Sequence, residues 1–311
     1  MRTYGRMMRL SLAPSALADI SAGILVGAHG HWPTGTRAPW ILMLASLCIV
    51  HGAMILNDWS DRGGDSVTRP DRPIPSGAIS ATRALRLGGV LLLLGPLLAY
   101  VVAPPLLLPA AGLSLLALLY DLGLRGPFQG PLLLALCRAG NLYLGWMAGC
   151  RLSGAPLETA AILPALFYFG YVFFVARLGR LEDDEDPRPL GRRPSAYIGG
   201  AAICLALGPL SLIPRFGFSL GFFGAMLLSI GGAFVLMRES VSKADWDRAR
   251  VGRNMGRALR RLLIFSAALS FATLERSLAS PDGAWDGLWV GLAILGGYPV
   301  SFALRRVFPP S

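Results

Sequence analysis

About ten stretches of this chain stay apolar over the roughly 20 residues that a helix needs to cross a ~30 Å hydrocarbon core. They fall near 10–28, 39–57, 84–103, 105–122, 131–150, 159–178, 195–212, 217–237, 258–275 and 285–304. Their apolarity is continuous, whereas barrel strands alternate apolar and polar residues, so the spans are helices. Only 15% of the 311 residues are charged and 54% are hydrophobic, against about 25% charged in soluble domains. That leaves too little polar surface for a water-solvated globule, and the same numbers exclude disorder. The expected fold class is all-α, a polytopic transmembrane helix bundle of nine to ten spans. It fills residues 1–311 as a single integral membrane domain.

The formal charge of +11 could suggest a nucleic-acid partner. The basic residues sit between apolar runs rather than along one amphipathic face, which argues for no nucleic acid and for the lipid bilayer. They cluster by parity: Arg2, Arg6 and Arg9 lead the chain, Arg62, Arg69, Arg72 and Arg83 follow the second span, and Arg125 follows the fourth. Further clusters come after the sixth and eighth spans, and Arg305 and Arg306 close the chain. The alternate connections are sparsely charged or acidic, as at Pro281-Asp282-Gly283. Positive charge marks the cytoplasmic side. Both termini and the basic loops are therefore expected in the cytoplasm, in a cell (inner) membrane protein with an even span count. The first apolar run lacks a small-residue cleavage site and is expected to remain as a span. Cys48, Cys137, Cys150 and Cys204 are isolated, so neither zinc nor a disulfide framework is supported. His29, His31 and His51 form no ligand set.

Chemistry is concentrated in two of the basic connections. The second span ends in Asn57-Asp58-Trp59-Ser60-Asp61-Arg62-Gly63-Gly64-Asp65. If helix continues, Asp58, Asp61 and Asp65 are spaced i, i+3 and i+7 on one face. Successive carboxylates are then separated by rises of about 4.5 and 6 Å. Three like charges that close repel one another and are partly neutralised unless a cation intervenes. Mg²⁺ resolves the conflict, since it takes few carboxylates and completes its shell with phosphate oxygens. A merely solvated helix end would not require an Asn, three aligned Asp and an Arg-rich continuation.

That continuation is Thr68-Arg69-Pro70-Asp71-Arg72-Pro73-Ile74-Pro75-Ser76-Gly77. Its prolines block helix and stiffen the chain, so Arg69 and Arg72 can be presented to an anion at low ordering cost. Planar guanidinium groups suit phosphate oxygens. Beyond the sixth span stands Arg180-Leu181-Glu182-Asp183-Asp184-Glu185-Asp186. Glu182 and Asp186 would share a helical face at i, i+4, giving either a second metal-binding face or a solvated acidic turn.

These motifs resemble the signature of the UbiA superfamily of intramembrane prenyltransferases, with a second acidic loop like that of some bacterial members. The resemblance implies a bundle around a central lipid-accessible cavity, with two acidic motifs holding Mg²⁺ and a polyprenyl diphosphate at the cytoplasmic mouth. Carried over by position, Asn57, Asp58, Asp61 and Asp65 match the first acidic motif, and Arg72 matches an arginine that contacts diphosphate. Tyr120 and Arg125 resemble the family's tyrosine and basic residue after the fourth helix, where Lys is usual. Arg138 and Asn141 resemble an Arg-x-x-Asn element, a few residues inside the fifth span. Glu182-x-x-x-Asp186 departs from the usual Asp-x-x-x-Asp. Asp58, Asp61, Asp65, Glu182 and Asp186 are thus expected to be the metal-holding, catalytic carboxylates.

The implied reaction moves a prenyl group from an allylic diphosphate to an aromatic or other hydrophobic acceptor. Trp59, Tyr143, Tyr168, Phe169 and Tyr171 are candidates to line the cavity. Alternatives are transfer of phosphoribosyl or another activated group to a lipid phosphate, or a lipid or phosphate transporter without chemistry. Transporters commonly show internal repeats and midplane charges, and the acids here sit at helix ends. The Asp-Gly-x-x-Ala-Arg signature of CDP-alcohol phosphotransferases is absent.

Overall fold

The computed structural model of the protein describes residues 2–182, 190–240, 246–279 and 285–308, and within them all regular structure is helical. A short α1 (Arg2–Met7) precedes α2 (Ala13–Gly27), α3 (Ala38–Thr68) and α4 (Ala81–Val102). Then come α5 (Leu107–Asp121), α6 (Gln129–Ser153), α7 (Ile162–Arg180), α8 (Arg193–Leu207) and the single turn α9 (Ile213–Phe216). The chain ends with α10 (Leu220–Ser240), α11 (Arg248–Arg260), α12 (Leu262–Phe271), α13 (Leu274–Leu278) and α14 (Asp286–Val307).

By length and composition, eight described helical segments can cross a membrane: Leu10–Gly27, Ala38–Thr68, Ala81–Val102, Pro104–Asp121, Ile162–Arg180, Arg193–Phe216, Leu220–Arg238 and Asp286–Val307. They coincide with eight of the ten stretches read from the sequence. The stretch at 131–150 is one helix, α6, long enough but less apolar, because it carries Arg138, Asn141 and several glycines. The stretch at 258–275 is not one continuous helix. It breaks at Arg261 and again at Ala272–Thr273 into the end of α11, α12 and α13. The ten residues of α12 rise only about 15 Å, half a hydrocarbon core.

Local signals start and stop these helices. Pro39 opens α3, where a missing N–H costs nothing. Ser80 Oγ accepts from the Arg83 N–H to cap α4, and Asp247 Oδ1 accepts from the Arg250 N–H at 2.6 Å to cap α11. Residues 69–80, with their prolines, are not helical.

Small residues set the packing at the centre. Gly23 and Gly27 of α2 face Gly145 and Gly149 of α6, each pair four residues apart. A Cβ at Gly23, Gly145 or Gly149 would overlap a backbone carbonyl of the partner helix. Such contact maximises dispersion between helices in a solvent as apolar as they are. Large apolar side chains left exposed, such as Leu93, Leu97, Leu108, Leu227, Phe234 and Trp289, lie on α4, α5, α10 and α14 and face the lipid. Tyr168 and Tyr171 are instead fully buried against Phe265, with Tyr171 Oη donating to the Ala258 carbonyl at 2.7 Å. Their packing explains them without a cavity-lining role.

Candidate active site

α3 has 31 residues, about 46 Å of helix against a hydrocarbon core of ~30 Å. Its last turns run on beyond the apolar stretch as continuous helix and carry Asn57, Asp58, Asp61 and Asp65. The three carboxylates share a face, and each meets a guanidinium from elsewhere in the chain. Asp58 Oδ1 accepts from Arg9 Nη2 at 3.0 Å and lies 3.8 Å from Arg72 Nη1. The same Arg72 Nη1 donates to Asp65 Oδ2 at 2.5 Å. Asp61 Oδ1 accepts from Arg125 Nη1, and its Oδ2 accepts from Asn57 Nδ2 at 2.9 Å. Alternating charges of this kind replace the repulsion expected of three bare carboxylates.

Arg125 joins three helix ends. Its Nε and Nη2 donate to the Tyr120 and Asp121 carbonyls, both at 3.0 Å, and it lies 5.3 Å from the Tyr120 ring centroid. Ser60 of α3 donates to the same Asp121 carbonyl at 2.6 Å, and Arg180, ending α7, donates to the Arg125 carbonyl at 3.0 Å. Glu182 follows two residues later; it is exposed, with its carboxylate against α11 at Gly252. Asp186 and its neighbours Asp183, Asp184 and Glu185 lie outside the described residues.

Asp58, Asp65, Arg72 and Asp121 are buried, whereas the Asp61 side chain keeps 34% of its exposure. Asp61 is thus the α3 carboxylate most open to a ligand. Beside Arg72 lies an open cleft of about 300 Å³ lined by Arg6, Thr68, Arg69, Pro70, Asp71 and Arg72. Three guanidinium groups against one carboxylate suit a polyanion there. As for a metal, Asp58 Oδ2 and Asp121 Oδ2 are buried without a hydrogen-bond partner among the described residues. No three His, Cys, Asp or Glu among those residues form a cage by themselves. An ion taking few protein oxygens and completing its shell with phosphate fits this arrangement, as Mg²⁺ does.

Arg138 and Asn141 are not at this cluster. Arg138 is nine residues into α6, deeper than its position in the apolar run implied, and Arg138 Nη2 pairs with Asp19 Oδ2 at 2.8 Å. The fully buried Asp19 also accepts from Tyr168 Oη, and from Ser266 Oγ at 3.3 Å. Asn141 accepts from Ser46 Oγ at 2.8 Å and donates to the Ala16 carbonyl at 3.1 Å. Ser46 precedes Asp58 by twelve residues of α3, about 18 Å along the helix. Sequence reasoning also passed over Arg9, Arg6, Asp121 and Asp19. An acid inside an apolar run is itself a signal, so Asp19 was discoverable; Arg6 and Arg9 looked like ordinary positive-inside residues.

The UbiA prenyltransferase family matches residues 16–255. The chain belongs to that family. Among its UbiA relatives is the digeranylgeranylglyceryl phosphate synthase of Methanopyrus kandleri, 31% identical over 269 residues, covering 81% of this chain and 93% of that one. Chlorophyll synthase of Arabidopsis thaliana is 30% identical over 211 residues, covering 64% and 54%. A UbiA homolog from Archaeoglobus fulgidus, solved bound to GPP and Mg²⁺, shares the fold with a TM-score of 0.62. It is 16% identical and covers 86% of this chain and 99% of that one.

Proposed function

We propose that this UbiA-family protein transfers a prenyl group from an allylic polyprenyl diphosphate to a lipophilic acceptor, with Mg²⁺. The observation that carries the reading is the cluster at the end of α3, where Arg9, Arg72 and Arg125 meet Asp58, Asp61 and Asp65. Arginines there can pass from a carboxylate to a diphosphate, leaving the carboxylates for the metal. Asp58, Asp61 and Asp65 would hold Mg²⁺, with Glu182 and Asp186 as the second acidic group. When bound, the ion would neutralise negative charge developing on the departing diphosphate.

This chain's residues have three tasks. Arg72 and Arg125, with Arg6 and Arg69 at the cleft, bind the diphosphate and stabilise it as the allylic C–O bond breaks. Asn57 holds Asp61, and Tyr120 backs Arg125. The bundle excludes water, which would trap the cation-like carbon as an alcohol. The acceptor then forms the new bond to that carbon and gives up a proton. Arg138 and Asn141 belong to a different layer, with Asn141 at the level of Ser46, about 18 Å along α3 from Asp58, and we assign them to holding α2, α3, α6, α7 and α12 together. The names of the relatives, a glyceryl phosphate product in one and chlorophyll in another, make geranylgeranyl diphosphate the first donor to test and leave acceptors of both kinds to be screened. The basic loops favour a cytoplasmic site in the inner membrane.

The test is purified protein with geranylgeranyl diphosphate, Mg²⁺ and a native lipid extract, followed by mass spectrometry of the lipids. A new prenylated lipid that chelation abolishes supports the reading. Diphosphate turnover without any prenylated product contradicts it.

A further inference from the structure

The junction of α11 and α14 gathers positive charge that the α3 site does not use. Gly256 and Arg260 lie one turn apart on α11, and Tyr298, Phe302 and Arg305 follow at i, i+4 and i+7 on α14. A Cβ on Gly256 would have Arg260 Nη1 and Arg305 Nη1 as its nearest neighbours, each at 3.9 Å. Two guanidinium groups therefore converge on one bare stretch of helix. Arg260 lies over the Phe302 ring, 4.8 Å from its centroid. Neither Arg260 nor Arg305 pairs with a carboxylate among the described residues. Around Arg260 stand also Arg261 and Arg257, again positive, and the phenol of Tyr298. Held side by side, these groups repel unless an anion sits between them.

The surroundings identify the anion's source. Phe302 is 48% exposed, on a helix apolar enough to cross the membrane. The paired guanidinium groups thus stand at the lipid-facing rim, at headgroup level, with the exposed Phe302 ring beside them to meet an acyl chain. Glu182 against Gly252 places the start of α11 at the same end of the bundle as Arg125 and the acidic cluster. By contrast Arg83 and Arg86, exposed at the start of α4, have no such convergence with another helix in the described contacts.

We propose that Arg260 and Arg305 bind the phosphate of an anionic phospholipid, whose acyl chains lie along the exposed face of α14. A lipid with a net negative headgroup is selected, because the extra cation of a zwitterionic headgroup would be repelled by the same pair. The site is separate from the acidic cluster and does not depend on the prenyl-transfer reading.

The test is native mass spectrometry of the full-length protein equilibrated with equal amounts of phosphatidylglycerol and phosphatidylcholine. Wild type should retain phosphatidylglycerol preferentially. R260Q/R305Q should bind it about thirtyfold more weakly, at the energy of about one such contact per Arg. R260K/R305K should keep much of the affinity, and R83Q/R86Q, which loses the same charge elsewhere, should match wild type. Phosphatidylglycerol should also raise the melting temperature of wild type more than that of R260Q/R305Q. If the double Gln variant does not purify, R305Q alone decides, since Arg305 is exposed. Equal retention by the Gln variants and wild type overturns the proposal. So does equal weakening in R83Q/R86Q, equal retention of phosphatidylcholine, or displacement of the lipid by inorganic phosphate, which would mark a site for a free anion.

Discussion

Asp58 and Asp61 carry the same chemistry in different surroundings, and that difference separates what their variants should do. The Asp61 side chain keeps 34% exposure, so Asp61→Asn removes a ligand oxygen's charge at little cost to folding. We expect turnover to fall by about 10²–10³-fold, with an unchanged melting temperature, as steady-state kinetics and thermal unfolding would record. Asp58 is buried between Arg9 and Arg72, so Asp58→Asn should lose activity and also about 1–3 kcal/mol of stability. Glu182 is exposed, and Glu182→Gln should raise the Mg²⁺ concentration needed for half-maximal rate without lowering stability. A Mg²⁺ titration identical to wild type would remove Glu182 from the site. The alignment of Asp58, Asp61 and Asp65 was legible in their spacing alone. Their pairing with Arg9 and Arg125 was not, because these lie 49 and 64 residues away from the acids they meet, and pattern reading sees only local periods.

At the scale of elements, α2 is tied to its neighbours twice. Its glycines allow backbone contact with α6, and Asp19 reaches Arg138 on α6, Tyr168 on α7 and Ser266 on α12. Asp19→Asn leaves the Arg138 charge buried without its counterion, which should cost about 3–5 kcal/mol. Replacing both partners with apolar residues, Asp19→Leu with Arg138→Met, should recover most of that loss. A double-mutant cycle on unfolding in detergent checks this; additive losses would mean the two groups act independently. Gly145→Val should likewise separate α2 from α6 and lower the melting temperature. The helices themselves were legible as apolar runs, and the break near Pro104 fell where proline placed it. The division of 258–275 at Arg261 was not, since the run stays apolar after Arg261 while that side chain turns back to the Gly232 carbonyl at 3.2 Å. A side chain's tertiary partner decides there, and composition is blind to it.

For the whole molecule, the basic and acidic functions collect at one end of the bundle. Arg9, Arg72, Arg125 and Arg180 all converge on the end of α3 or its neighbours, while Arg215 pairs with Glu158 at 2.8 Å in connections of the opposite parity. Charge asymmetry of this kind orients a membrane protein. A cysteine placed at Ser311 should therefore resist an impermeant thiol reagent in intact cells and react after permeabilisation; labelling in intact cells would reverse the assigned orientation. On the proposed function, the same end handles the donor diphosphate. The most direct measurement of that claim is prenyl transfer by purified wild type and Asp61→Asn in parallel, with geranylgeranyl diphosphate, a native lipid extract, and Mg²⁺ added or chelated. A lipid heavier by one prenyl unit should form only with wild type and Mg²⁺. Full product formation by Asp61→Asn, or by wild type under chelation, would contradict it.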